Sequence, residues 1–173
     1  PDLFIGLCID CSGSMVFEDR MDKALSFATL MMEAAKGLDG LECRGLGFED
    51  DVLWELGQAG SARMAGLKPG GGNNDAAALL AMAKHALLSN HRHRLLIMIS
   101  DGFPTECTHD SLANLVQHLD RVYGIKSVQV AVAEMESDRV AFPDFTDLTQ
   151  HQIPVAVKLF GRMVQRVLMR QYS

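Results

Sequence analysis

Leu3-Phe4-Ile5-Gly6-Leu7-Cys8-Ile9 runs directly into Asp10-Cys11-Ser12-Gly13-Ser14-Met15. The first seven residues are almost continuously apolar, which suits a short strand buried on both faces of a parallel sheet. Residues 11–19 are small or polar and read as a loop. A buried strand that ends on a carboxylate and then offers hydroxyls at alternate positions sets the terms for the rest of the chain.

Outward from this stretch the pattern changes period. Over residues 20–36, Met21, Ala24, Leu25, Ala28, Met31, Met32 and Ala35 recur at helical spacing, and Gly37 supplies a stop. Two short strands are predicted over 42–48 and 52–56. Glu49-Asp50-Asp51 would turn between them, giving an antiparallel hairpin at one sheet edge, with Trp54 packing on that edge strand. Residues 58–72 form a long loop ending Lys68-Pro69-Gly70-Gly71-Gly72. Asn73-Asn74-Asp75 can then cap a helix over 76–88. Further strands are predicted over 95–100 and 127–133, separated by a helix over 110–123 with Leu112, Leu115, Val116 and Leu119 on one face. A last helix is expected over about 154–170, with Pro154 at its first position and Val155, Leu159, Phe160, Met163, Val167 and Leu168 as its apolar stripe.

Strands alternating with helices imply an α/β, three-layer fold with a mainly parallel sheet. The 173 residues contain no repeat, low-complexity segment or linker, so one domain over 1–173 is expected. Its lack of an initiator Met and its immediate apolar pattern suggest a domain excised from a longer protein.

Composition narrows the functional classes. Hydrophobic residues at 48% and charged residues at 22% exclude a disordered chain. The longest apolar runs, such as 95–99, are too short to cross a bilayer, and no basic region precedes the first of them as in a signal peptide. A net charge of -6 argues against nucleic-acid binding. Cys8 and Cys11 match C-x-x-C, but Cys8 lies in a predicted strand rather than at a helix N-terminus, and Cys43 and Cys107 do not supply a second close pair for zinc. Buried thiols in a reducing, cytoplasmic setting are expected.

In a parallel sheet, ligands bind beyond the carboxyl ends of the strands. Three polar groups follow strands or precede a helix there: Asp10, Ser12 and Ser14; Asn73, Asn74 and Asp75; and Ser100-Asp101-Gly102. Each alone is ordinary loop chemistry. Together they form a set of oxygen donors, which favours hard cations, magnesium above manganese or calcium, and leaves a coordination position for an outside carboxylate. Two other readings are weaker. The Lys68-Pro69-Gly70-Gly71-Gly72 stretch lacks the Lys-Ser/Thr that completes a phosphate-binding loop. Asp10 could be a magnesium-dependent phosphatase or phosphotransferase nucleophile of the haloacid-dehalogenase type, but Ser12 stands where that chemistry wants a second Asp for proton transfer. His91-Arg92-His93-Arg94 is expected as a solvated basic loop at the far end of the sheet.

Asp10-Cys11-Ser12-Gly13-Ser14-Met15, Gly71-Gly72-Asn73 and Ile99-Ser100-Asp101-Gly102 resemble the metal-ion-dependent adhesion site of a von Willebrand factor A (vWA) domain. The resemblance covers the whole chain. It implies a doubly wound, Rossmann-like fold with a mostly parallel six-stranded sheet and one short antiparallel edge strand. It implies that Ser12 and Ser14 bind the cation directly, and Asp10 and Asp101 directly or through water. The family's Thr falls on Asn73, a departure that Asp75 could offset; if neither serves, the domain would be a metal-free scaffold. The chain is most similar to the bacterial intracellular branch, which includes chelatase subunits and nitric-oxide-reductase accessory proteins working with AAA+ ATPases of the MoxR or chelatase type. The implied function is a non-enzymatic, magnesium-dependent interaction module that binds a partner's Asp or Glu, with Met15, Phe17, Phe103 and Glu106 flanking the cation.

Overall fold

A computed structural model describes residues 2–62, 64, 67, 69–102, 104–135, 140–149 and 152–169. In chain order the elements are β1 (Leu3–Asp10), a 3-10 segment (Gly13–Asp19), α1 (Arg20–Ala35), β2 (Leu41–Phe48), β3 (Leu53–Gln58), α2 (Asp75–Leu88), β4 (His93–Ser100), α3 (His109–Tyr123), β5 (Ile125–Ala131), β6 (Phe145–Asp147) and α4 (Ile153–Met169). The six strands form one sheet in the order β3-β2-β1-β4-β5-β6. Every neighbouring pair is parallel except β2 with β3, so the expected edge hairpin is present. This is the doubly wound, three-layer arrangement expected from the sequence.

Alternation along the central strands separates two apolar cores. Ile5, Leu7 and Ile9 of β1, Leu95, Ile97 and Ile99 of β4, and Val128 and Val130 of β5 face α1 and α4. Phe4 and Cys8, Leu96 and Met98, and Ile125 face α2 and α3. Strands lined on both faces in this way must be continuously apolar, which is why β1 and β4 were legible as runs rather than as alternating patterns. Phe27 of α1 and Phe160 of α4 meet edge to face at 5.2 Å and join the two helices of the first layer. Gly6 serves the second layer: a Cβ there would lie 2.3 Å from Met82 Cγ, so the glycine lets α2 seat directly on β1.

Several expectations need correction. The polar stretch after β1 is not open loop throughout, because Gly13–Asp19 forms a 3-10 segment broken at Phe17 and Glu18. β5 begins at Ile125, two residues earlier than predicted, because Gly124 ends α3 in a left-handed conformation (φ 64°) and the chain turns at once into the sheet. Phe145-Thr146-Asp147 forms β6 without any apolar run to announce it. α4 starts at Ile153, placing Pro154 second, and Val155 of the expected stripe is exposed. The side chains of Leu159, Met163, Val167 and Leu168 lie outside the described residues. His93 and Arg94 begin β4, so the basic cluster is not simply a solvated loop. Among the described residues no helix is long and apolar enough to cross a membrane. All four cysteines are free; burial raises their thiol pKa values, that of Cys11 to about 12, which fits apolar filling better than redox chemistry.

Candidate metal centre

β1 and β4 are neighbours at the centre of the sheet, and the chain leaves them toward opposite sides, which makes their carboxyl ends the switch point of the fold. Asp10 is the last residue of β1, and Asp101 directly follows β4. Both side chains are fully buried. The third contributor arrives from the loop before α2, where Asn74 caps the helix by accepting a hydrogen bond from the Ala77 N–H at 3.0 Å, and Asp75 opens its first turn.

Backbone hydrogen bonds tie these loops together. The Cys11 N–H donates to the Phe48 carbonyl (2.8 Å), Gly13 to Gly71 (2.8 Å), Gly70 to Cys11 (2.8 Å) and Asn74 to Glu49 (3.1 Å). Glycine is required where the loops pack closest. A Cβ on Gly72 would lie 2.6 Å from Thr105 Oγ1, and that hydroxyl accepts the Asn73 N–H at 3.0 Å.

The side chains follow this frame. Asp10 Oδ1 accepts the Ser12 N–H at 2.8 Å, turning the chain so that the Ser12 and Ser14 hydroxyl oxygens stand 3.2 Å apart. The Ser14 hydroxyl donates to Asp101 Oδ2. The first and third sequence groups therefore meet in one continuous hydrogen-bonded chain. Asn73 Nδ2 donates to Asp75 Oδ1 at 2.8 Å, and Asn73 Oδ1 accepts the Thr105 N–H at 3.1 Å. Both ends of its amide are engaged, so Asn73 holds Asp75 and the adjoining loop in place. Ser100, also singled out from the sequence, turns away: its hydroxyl accepts from Gln129 Nε2 (2.8 Å) and the Gly102 N–H (3.2 Å).

The electrostatics are unbalanced. Asp10, Asp75 and Asp101 are all buried. Burial, then the Asp101 charge, pushes the Asp10 pKa up to about 7. Burial, then the charges of Asp10 and Asp101, pushes Asp75 up to about 8. Asp10 Oδ2 is buried with no hydrogen-bond partner, an omission that ordinarily costs about 1–3 kcal/mol. Arg20, which the sequence reading did not single out, opens α1 and brings Nη1 to 3.5 Å from Asp101 Oδ2 and 3.2 Å from the Ser14 carbonyl oxygen, to which it donates. Thr105 falls in the stretch 103–106 expected beside the cation, but its bonds to Asn73 were not read. The signal for Arg20 was present: it is the first cationic residue of the chain and it begins the first helix.

Among the described residues no three His, Cys, Asp or Glu side chains are grouped to hold a metal ion on their own. Any cation here depends on the two hydroxyls as well. The donor set suits that role: all its atoms are oxygens, and one carboxylate oxygen is buried without a partner.

Of the four residues expected to flank the cation, Met15 is a correction. The Met15 N–H donates to the Ser12 carbonyl at 3.0 Å, and the resulting turn tucks its side chain into the core beside α1. Phe17 is 61% exposed, the break at that residue having turned it outward. Glu106 is exposed beside the third loop, its N–H donating to the Asn73 carbonyl at 3.0 Å. Phe103 lies outside the described residues.

No protein-family model and no curated protein matches the chain. Solved structures do. A von Willebrand factor type A protein from Catenulispora acidiphila aligns with a TM-score of 0.72 at 14% identity, covering 96% of this chain and 42% of that one. The VWA domain of SpRpn10 aligns at 0.67 and 12% identity, covering 91% and 94%. Manganese-loaded TRAP protein from Plasmodium vivax aligns at 0.68 and 15% identity, covering 94% and 73%. The chain spans less than half of the Catenulispora chain, and 20% of a three-domain fragment of the type V pili tip protein Mfa5 from Porphyromonas gingivalis. At such identities the likeness is one of fold, and the fold is that of a vWA domain.

Proposed function

We propose that this chain is a non-enzymatic interaction module that holds a divalent cation at the carboxyl end of β1 and offers it to a carboxylate of a protein partner. The observation that carries this reading is the buried, unpartnered Asp10 Oδ2 beside two serine hydroxyls and two further buried carboxylates. Ser12, Ser14 and Asp101 would hold the ion, with Asp10 and Asp75 adding negative charge around it and Asn73 orienting Asp75. Magnesium fits this hard-oxygen set first, manganese or calcium next. The ion would supply a localised positive charge for the partner's Asp or Glu, making a short, directional contact. Phe17 and Glu106, both exposed, would add contacts specific to that partner. The manganese held by the TRAP protein on the same fold is in keeping with the cation. Resemblance to the bacterial intracellular branch suggests an AAA+ ATPase of the MoxR or chelatase type as the partner, and a cytoplasmic setting.

Calorimetric titration of MgCl2 and MnCl2 into the chain tests the cation. Saturable binding is expected, and Ser12→Ala with Ser14→Ala should abolish it while the melting temperature stays within a few degrees of the parent. Retention of a candidate ATPase on the immobilised chain, in magnesium against chelator, tests the partner. Equal titration curves for the parent and the double variant would reject the site.

A further inference from the structure

We propose that Arg20 is the resident counter-ion of the buried carboxylates and competes with the divalent cation, so that its charge sets how tightly the site takes metal. This rests on the cation reading above and extends it to the regulation of the same site. Arg20 Nη1 approaches Asp101 Oδ2 at 3.5 Å, its Nε is buried without a hydrogen-bond partner, and its side chain is only 17% exposed. Nη1 donates to the Ser14 carbonyl oxygen and to Asp101 Oδ2, but the unmet Nε means that hydrogen bonding alone does not account for holding this guanidinium mostly out of water.

Its position in the chain is also unfavourable. Arg20 is the first residue of α1, where the positive end of the helix dipole repels a cation. The two residues before it, Glu18 (φ 53°) and Asp19 (φ 56°), are both left-handed without being glycine, and Asp19 makes no side-chain cap to the helix it precedes. Three local rules are therefore broken in succession, and together they bring one positive charge against Asp101. The compensation lies in the carboxylates: Asp10, Asp75 and Asp101 are all buried, and Arg20 contacts one of them, Asp101.

A divalent ion entering between Ser12, Ser14 and Asp101 would sit near that guanidinium. Like charges at such separations repel strongly even in a moderately polar interior. Arg20 therefore lowers the affinity of the empty site, and a partner carboxylate would offset the repulsion by adding negative charge, favouring occupation of cation and partner together.

The test compares the parent chain with Arg20→Gln and Arg20→Lys. MgCl2 and MnCl2 titrations by calorimetry should show Arg20→Gln binding both ions at least about tenfold more tightly. Arg20→Lys, which keeps the charge, should stay close to the parent. Without added metal, Arg20→Gln should melt at a lower temperature than the parent, and saturating magnesium should close that gap. Equal or weaker metal binding by Arg20→Gln, with the parent binding normally, would overturn the competition and leave the cation reading standing. No binding by any of the three chains would remove the cation reading itself, and this proposal with it.

Discussion

The two ends of the sheet handle charge in opposite ways. At the amino end, His91 lies between two carboxylates, Nδ1 at 3.0 Å from Asp2 Oδ1 and Nε2 at 3.2 Å from Glu42 Oε2, and Arg44 Nε approaches Glu42 Oε1 at 3.9 Å. These groups are partly exposed, and acidic and basic side chains are matched. At the carboxyl end three aspartates are buried, one of their oxygens has no partner, and Arg20 reaches only Asp101. Folding alone would favour the first arrangement at both ends, since an unmatched buried charge costs far more than an exposed pair gains. The buried aspartates stand at the switch point of the sheet, where ligands bind in this architecture.

The pH dependence of stability should expose this contrast most strongly. Asp10 and Asp75 have folded pKa values near 7 and 8, raised from 3.8 chiefly by burial. Between these limits the folded protein binds more protons than the unfolded one, so stability falls as pH rises. In chelator, the melting temperature should be highest near pH 4 and should drop steadily through pH 7 to 8, as each carboxyl ionises in its buried place. Saturating magnesium should flatten the upper part of the curve, because the cation takes over from the protons, and binding should release protons measurable from the buffer dependence of the calorimetric heat. A flat profile in chelator would mean that these carboxylates are better solvated than their burial implies.

Removing one charge should act in the same direction on a smaller scale. Asp75→Asn keeps an oxygen able to accept from Asn73 Nδ2, so the loop should stay in place. Near pH 8 and without metal the variant should be more stable than the parent by at least about 1 kcal/mol, measured by chemical denaturation. Its magnesium affinity should fall. Gain of stability with loss of binding is the mark of a group retained for a ligand. Loss of both would instead make Asp75 part of the scaffold.

Legibility in the sequence followed the same division. β1 and β4 could be read because both faces are buried and the strands are therefore continuously apolar; α1 and α3 carried helical periodicity and α2 a cap. β6 could not: three residues at a sheet edge, one of them Asp147 with its carboxylate taken by Thr149, show no pattern of their own. At the site, Asp10, Ser12, Ser14 and Asp101 were legible because they end or closely follow strands, whose direction fixes where they converge. Met15 was misread because a 3-10 turn, not a strand or loop, decides which way it points. Asn73 was read as an oxygen donor, but its amide is engaged by Asp75 and Thr105, and Thr105 lies 32 residues away. Arg20 was missed because the sequence shows that it starts a helix, not that the preceding left-handed residues turn it inward.

The amino end supplies the smallest effect and the control for the others. His91 bonds to carboxylates of β2 and of the segment leading into β1, so it closes the sheet at its margin. These pairs face water, where attraction is screened and largely offset by the order it imposes on the side chains. His91→Gln should therefore move the melting temperature by no more than about 2–4 °C, and about 0.5 M salt should shrink even that difference. The decline in stability with pH that the carboxyl-end aspartates cause should survive the same salt, because ions do not reach buried groups. Salt that erased both effects equally would place the two ends in the same dielectric setting and remove the reason for expecting a cation at one of them.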